Sequence, residues 1–505
     1  MWRYLKRLLI GEPLKTTEEG GQALTKFKAL ALLSSDALSS VAYGTEQITT
    51  ALFVLSAAAT WYAVPAAGIV LILLFAITMS YRQIIHAYPS GGGAYVVATK
   101  NWGTGAGLVA GGSLLVDYML TVAVSVTSGT EAITSAIPSL RAHSVGISIL
   151  IVLFIMTLNL RGLRESASFL TVPVYFFVIM IVALVGWGLF NILTGNIHYA
   201  ATAMILAVAA NTGFSAFPIL AYNLAKDKFM PHMFMDKGDR LGYSNGIIAL
   251  AIGAITLILI FHGQTNLLIP LYAVGVFVPF TLSQSGMIIH WFRERGKHWI
   301  LNSMFNLVGA LISLALVIFL FWLHFENVWP YLIIMPALIF GFYKIHDHYV
   351  KIAAQLRLSN DAQLHDYDGS TVIVLVSSVT HVTTGAINYA RSIGDYVIAM
   401  HVSFDTNPKK EHETAKEFKE SFGDVRFVDL HSSYRSVQTP VIRFCDVIAK
   451  KAAERNYSVT VLVPQFVPKK PWQNILHNQT ALRLRTALNS RENIIVSTYN
   501  YHLKK

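Results

Sequence analysis

Two carboxylates fall inside stretches of chain apolar enough to enter a lipid bilayer: Asp36, in "ALLSSDALSSVAYG" (31–44), and Asp117, in "LLVDYMLTVAVSV" (114–126). An ionised acid at mid-membrane depth is costly unless it meets water, a cation or a partner. Around Asp36 stand Ser34, Ser35, Ser39 and Ser40, poor interior helix formers whose hydroxyls bond local backbone. Tyr43 lies seven residues on and shares the face of Asp36. The pattern describes a helix interrupted at the level of its own acid, with freed carbonyls turned toward a cavity. In the second stretch Asp117, Thr121 and Ser125 recur at i, i+4 and i+8, so an acid and two hydroxyls descend one helix face with Tyr118 beside them. Oxygen ligands of this kind suit a hard monovalent cation, and potassium, sodium and protons all stay open on chemistry alone. The plainer alternatives are a buried Asp that caps a kink and interhelical hydrogen bonds from the hydroxyls. A substrate carboxylate is disfavoured, because Asp36 would repel it.

Such residues need helices to hold them, and the composition supplies them. Of 505 residues 54% are hydrophobic and 13% charged, and the mean hydropathy is +0.51, which identifies an integral membrane protein. Ten stretches approach the ~20 apolar residues that cross a bilayer: 27–55, 62–84, 104–136, 145–160, 167–193, 200–224, 245–263, 266–292, 298–324 and 328–345. With the N-terminus inside, Arg82, Lys100, "RGLRE" (161–165), "KDKFMPHMFMDKGDR" (226–240), "FRERGKH" (292–298) and "KIHDHYVK" (344–351) all fall on the cytoplasmic side. The opposite loops carry almost no Lys or Arg, so the positive-inside rule puts both termini in the cytoplasm of a multi-pass protein of the cell membrane. The formal charge of +11 is absorbed by these loops and calls for no nucleic acid. The single Cys445 leaves no internal disulfide, and the first residues lack the apolar core of a signal peptide.

The character changes near residue 365. "STVIVLVSS", "DYVIAMHVSF", "VRFVDLHS", "YSVTVLVPQF" and "NIIVSTYN" are short β-branched runs separated by helical stretches. Five strands alternating with helices predict a small doubly wound α/β domain over 365–505. The expected organisation is a cytosolic segment at 1–26, a transport domain at 27–345, a basic connector along the membrane surface at 346–364, and the cytosolic domain.

In order along the chain, "ALLSSDALSSVAYG", "YPSGGGAYVV" (88–97), "LLVDYMLTVAVSV", "LAVAANTGFSAFP" (206–218), "DRLGYSNGI" (239–247) and "LIPLYAVGVF" (268–277), ahead of an α/β domain, resemble the potassium importers of the KimA type. These form part of the KUP branch of the amino acid–polyamine–organocation superfamily. The resemblance covers nearly the whole chain. It implies a LeuT-like fold, potassium uptake with proton symport, a homodimer, a C-terminal domain like universal stress proteins, no enzymatic activity and no resident cofactor. Carried over by motif, Asp36, Tyr43, Asp117, Tyr118, Thr121 and Ser125 would line the ion pathway, with potassium held at Asp36 and Asp117. It also implies inhibition by cyclic di-AMP between paired cytosolic domains, with Ser377, Ser378, His381 and Ser403 as expected contacts beyond the strand ends. Stress-protein ATP binding is disfavoured, because "VPQFVPKKPWQN" (463–474) has Pro, Lys and Trp where a Gly-rich phosphate loop would lie. "PSGGG" is no phosphate loop either, since it lacks the preceding strand and the GK[ST] ending; its expected role is a tight connection or a gate.

The chain departs from the family at one place. Members have twelve spans, and between the fifth and "AANTGFSAFP" they carry two more, the first a broken helix with a Thr-Gly-Val-Glu-Ala type motif. Here "NILTGNIHYAATAMILAVAAN" joins those flanks directly. Losing two consecutive spans preserves the in-out order of everything after them. The absent helix is the inverted-repeat partner of the first span and would face Asp36, so the expectation is that the intact protein carries it. Two readings of other classes stand beside transport of potassium: a permease for amino acids or organic cations, and a non-transporting membrane sensor with the α/β domain as output.

Overall fold

A computed structural model divides the chain into two compact units, Met1–Arg357 and Leu358–Lys505. It describes residues 10–12, 24–30, 62–89, 91–194, 206–357, 366–404, 408–432, 436–468, 473 and 480–503. In the first unit the long helices are α1 (Ala63–Ala87), α2 (Gly93–Trp102), α3 (Thr104–Ala136), α4 (Ser144–Leu160), α5 (Leu163–Thr194), α6 (Leu206–Lys226), α7 (Ser244–Ile260), α8 (Thr265–Glu294), α9 (Trp299–Leu323) and α10 (Phe325–Leu356). Among the described residues, six helices are long and apolar enough to cross a membrane, and α7 is a shorter apolar one. Apart from α2, these helices match the expected spans to within a few residues at most ends. The first expected span, 27–55, lies almost wholly outside the described residues.

α3 is the axis of this unit. Unlike its neighbours, which turn much of their surface outward, it is mostly buried. Leu108, Leu120, Val122, Ala123 and Val126 all sit in one core with Phe214, Phe217 and Leu224 of α6, Leu250 and Ile258 of α7, and Leu268 and Leu271 of α8. Small residues allow this crowding: a Cβ on Gly107 would fall 1.9 Å from Oγ1 of Thr99, so α2 and α3 can pack at this distance only with glycine there. In lipid there is little hydrophobic drive between helices, and close backbone approach with interhelical hydrogen bonds takes its place.

The connection holding "YPSGGGAY" makes the expected tight turn: Gly91, Gly92 and Gly93 have φ of 79°, 94° and 51°, a left-handed conformation that favours glycine, and α2 begins at the last of them. The stretch 346–364 is not a separate surface connector from its start, since α10 continues unbroken to Leu356. Its sequence has no Gly or Pro to stop it after Gly341, Asp347 and Lys351 pair at i, i+4, and it is tied down by aromatic stacking. Phe229 stacks on His346 with centroids 4.5 Å apart and His232 on Tyr349 at 4.1 Å, while the His232 N–H donates to Oη of Tyr349 at 3.1 Å.

The second unit is a five-stranded parallel sheet with strands β1 (Gly369–Val376), β2 (Tyr396–Ser403), β3 (Arg426–His431), β4 (Tyr457–Val467) and β5 (Ile495–His502) in the order β3-β2-β1-β4-β5. Helices α11 (His381–Ile393), α12 (Pro408–Ser421), α13 (Gln438–Ala453) and α14 (Thr480–Leu488) lie between them in sequence. One apolar layer joins Val372, Val374, Ala386, Ile387, Phe418 and Leu462; the other joins Ile373, Val441, Cys445, Val461, Leu484 and Leu488. Alternate residues of β1 thus serve opposite layers, as in a sheet covered on both faces. This is the doubly wound α/β domain expected from the strand and helix alternation.

Candidate functional site

The helical spacing of Asp117, Thr121 and Ser125 survives intact in α3, where the three residues are only 8%, 3% and 2% exposed. Tyr118, beside them, is half-buried. Four helices converge at Asp117. On α8, a Cβ added to Gly275 would lie 3.3 Å from Cα of Asp117 and 3.4 Å from its Cβ. On α10, Tyr331 shares a hydrogen bond with Ser113, one turn before the acid, and both Tyr331 and Tyr81 of α1 lie within electrostatic reach of Asp117. From the other side α6 presses close: a Cβ on Gly213 would stand 2.9 Å from Val122 and 3.1 Å from the Tyr118 carbonyl.

The hydroxyls along α3 fall into two groups. Thr127 and Thr130 donate to carbonyls of their own helix, to Ala123 and Val126, both at 2.9 Å. Thr265 donates to Oε1 of Glu131 at 2.9 Å and reaches Thr127 at 3.0 Å, and Ser148 bonds Thr130 at 2.9 Å. That end is a satisfied interhelical network. Nearer Asp117, Thr121 and Ser125 form no side-chain hydrogen bond among the described residues, although both are buried. Buried hydroxyls are normally bonded, so these two oxygens and the acid above them are suited to coordinate a cation.

One contributor was not foreseen from the sequence. α8 carries Pro270 and Pro279, and proline has no N–H to give the carbonyl four residues earlier. Pro279 therefore releases the carbonyl of Gly275, the residue that lies against Asp117. Freed carbonyls beside an acid are the usual means by which interrupted membrane helices hold ions. The sequence signal was the "GVFVP" spacing, readable only once α8 is known to touch α3. Tyr272 lies one turn before Gly275 on the same helix and is half-buried. Asp36 and Tyr43 lie outside the described residues.

In the α/β unit, strand order reverses between β1 and β4, the place where open parallel sheets bind ligands. β1 ends at Val376, and Ser377, exposed, and Ser378, half-buried, lead into α11, whose first residue is the exposed His381. Thr380 caps that helix by accepting from the Thr383 N–H at 3.4 Å, and Oγ1 of Thr383 donates to the Ser378 carbonyl at 2.6 Å. Ser377, Ser378 and His381 are thus brought together. Ser403 ends the neighbouring strand β2, buried, with its carbonyl accepting from the Ser432 N–H at 2.9 Å; Val376 pairs with His401, so Ser403 stands two residues past that last pair, as Ser378 does. β4 runs on as a strand to Val467, paired with His502 of β5.

The apolar helices and the buried oxygens of α3 are those of a polytopic membrane protein. Residues 24–198 and 193–342 match the amino acid permease family, and residues 368–501 match the KimA potassium transporter C-terminal domain. The potassium transporter KimA of Bacillus subtilis (strain 168) is 45% identical over 610 aligned positions that take in all of both chains. The low-affinity putrescine importer PlaP of Escherichia coli (strain K12) is 28% identical over 126 residues, a quarter of this chain and 27% of its own length. The chain belongs to the KimA family of potassium transporters. An alignment of 610 positions against 505 residues leaves roughly a hundred positions without a counterpart here, and the permease match is itself split in two at 193–198.

Proposed function

We propose that the protein imports potassium across the cell membrane as a secondary transporter coupled to proton symport, with both termini in the cytoplasm and the chain paired as a homodimer. The observation that carries this reading is the buried acid on one face of α3 with two hydroxyls that show no side-chain hydrogen bond among the described residues, packed against Gly275 of the proline-interrupted helix α8. Dehydrating a potassium ion requires several oxygens at once, and Asp117, Thr121, Ser125 and the Gly275 carbonyl offer them. Asp36 and Tyr43 complete the pathway from the first span. The two family spans missing between 193 and 205 belong to the transporting form, because the inverted-repeat partner of the first span supplies the other wall of the ion cavity. Cyclic di-AMP, held by Ser377, Ser378, His381 and Ser403 at the strand ends beside the β1/β4 switch of paired domains, inhibits uptake. The α/β unit acts here as a universal-stress-protein-like regulatory domain.

The test is proton-driven rubidium uptake into vesicles, after the intact mass of the natively expressed protein has been measured. Asp117→Asn and Asp36→Asn each abolish uptake on this reading. Unchanged uptake in either variant refutes the cation assignment, and an intact mass of 505 residues with no uptake refutes transport by this chain. The partial match to a putrescine importer favours one competing substrate class, so putrescine is included as a competitor; displacement of rubidium by putrescine at equal concentration would make the protein an organic-cation permease.

A further inference from the structure

A cavity of about 460 Å³ opens where three helix ends meet, lined by Arg82, Gln83 and His86 of α1, His290, Trp291 and Glu294 of α8, and Asn302 and Phe305 of α9. It is separate from the cation site. Its floor is a rigid polar cluster: the Trp291 Nε1–H and the Asn306 amide both donate to Oε1 of Gln83 at 2.7 Å, and Ser80 donates to Asn306 at 2.5 Å. His290, buried, lies 3.3 Å from the Tyr88 hydroxyl. Its charges are divided between the walls. Arg82 stands exposed on α1 with no ion-pair partner among the described residues, and Asn302 lies in the first turn of α9, the positive end of that helix. Glu294 ends α8, where the helix terminus is already negative, and its ion-pair partner among the described residues is His290, at 3.4 Å.

The surroundings fix the level in the membrane. Ile85, Phe292, Ile300, Leu301 and Met304, at the same ends of these three helices, are exposed, and in a bilayer such side chains face hydrocarbon. Phe292 packs edge-on against Trp299 at 5.1 Å, and Arg295 lies over the same indole at 6.0 Å; Trp with Arg marks the interface between hydrocarbon and headgroups. A cavity at this level, positive on one wall, negative on the other and with exposed apolar side chains at the same helix ends, is complementary to a zwitterion with acyl chains attached. We propose that it holds the headgroup of one phospholipid bearing a primary amine, with the phosphate on Arg82 and the ammonium on Glu294. A choline headgroup fills the same space and offers no N–H to Glu294, so it binds less well.

The test is native mass spectrometry of the full chain released from nanodiscs that contain phosphatidylethanolamine and phosphatidylcholine in equal amounts. The Glu294 side chain is largely exposed, so water screens its charged hydrogen bonds, and the wild type retains the ethanolamine lipid about threefold over the choline lipid. Glu294→Gln brings that ratio near one and keeps a bound phospholipid. Arg82→Gln lowers retention of both lipids by a similar factor. A wild-type ratio near one overturns the proposal, as does a ratio that Glu294→Gln leaves unmoved. Soluble phosphoethanolamine binding as tightly as the lipid overturns the membrane source of the ligand. The wild-type measurement needs no variant to fold, and it stands whether or not potassium is the cargo.

Discussion

Replacing Gly275 with alanine tests whether the contact between α8 and α3 sets the cation site. The new methyl would lie 3.3 Å from Cα, 3.4 Å from Cβ and 3.5 Å from N of Asp117. All three are backbone or backbone-adjacent atoms in the middle of the most buried helix, so no flexible side chain can give way. α8 must instead move off by a few tenths of an ångström, taking its released carbonyl away from the acid. Overpacking of this kind costs about 1–3 kcal/mol. Charged to the ion-bound arrangement, at about 1.4 kcal/mol per factor of ten, that weakens potassium affinity roughly five- to 150-fold. The assay is the concentration dependence of rubidium uptake in proteoliposomes, read with the thermal unfolding midpoint of the same preparation. Gly146→Ala is the matched control, since its Cβ would meet nothing within 4 Å, and it leaves half-saturation unchanged. If Gly275→Ala has wild-type half-saturation and only a lower melting temperature, the strain is taken by the fold and the reasoning fails.

Three further outcomes concern the hydroxyls of α3 and the buried thiol of the α/β unit. Thr121→Val, which removes an uncommitted hydroxyl at nearly constant volume, raises the half-saturation concentration about tenfold, whereas Thr127→Val, at a hydroxyl that is already bonded, changes stability and leaves half-saturation as it was. Burial, with Asp446 nearby, pushes the Cys445 thiol up from its ordinary value of 9.0 to about 12, so it resists iodoacetamide at pH 8 until the α/β unit unfolds; labelling at the rate of a free thiol would refute this. Because the folded-state value is the raised one, the thiol's contribution to stability is whole below about pH 9 and is lost as pH climbs toward 12, measurable as a falling denaturation midpoint of that unit.

Hydropathy made the spans legible because each must present a long apolar surface to lipid, and period-four spacing made Asp117, Thr121 and Ser125 legible as one face because α3 is regular there. Where the pattern failed, a tertiary contact or an unusual dihedral decided the outcome. Three glycines in a row read as a tight connection, and they make the left-handed entry to α2, though the helix that follows them is not foreseen. The basic segment after residue 345 read as surface connector, yet stacking of His346 and Tyr349 onto the loop after α6 keeps it helical. Gly275 and Pro279 were unremarkable as letters; their meaning depends on which helix faces them. Ser377, Ser378 and Ser403 share a strand-end level, because β1 and β2 are neighbours with Val376 paired to His401. The α/β unit was legible almost whole, since alternation of β-branched runs with amphipathic helices leaves few other topologies.

The aromatic stacking on α10 has a mechanical meaning. Phe229 and His232 follow α6 directly, and their partners His346 and Tyr349 lie about three and about two turns before the first unit ends at Arg357. Any tilt of α6 is therefore handed, through two stacked ring pairs, to the last turns of α10, so the far end of that helix works as a lever arm for the loop after α6.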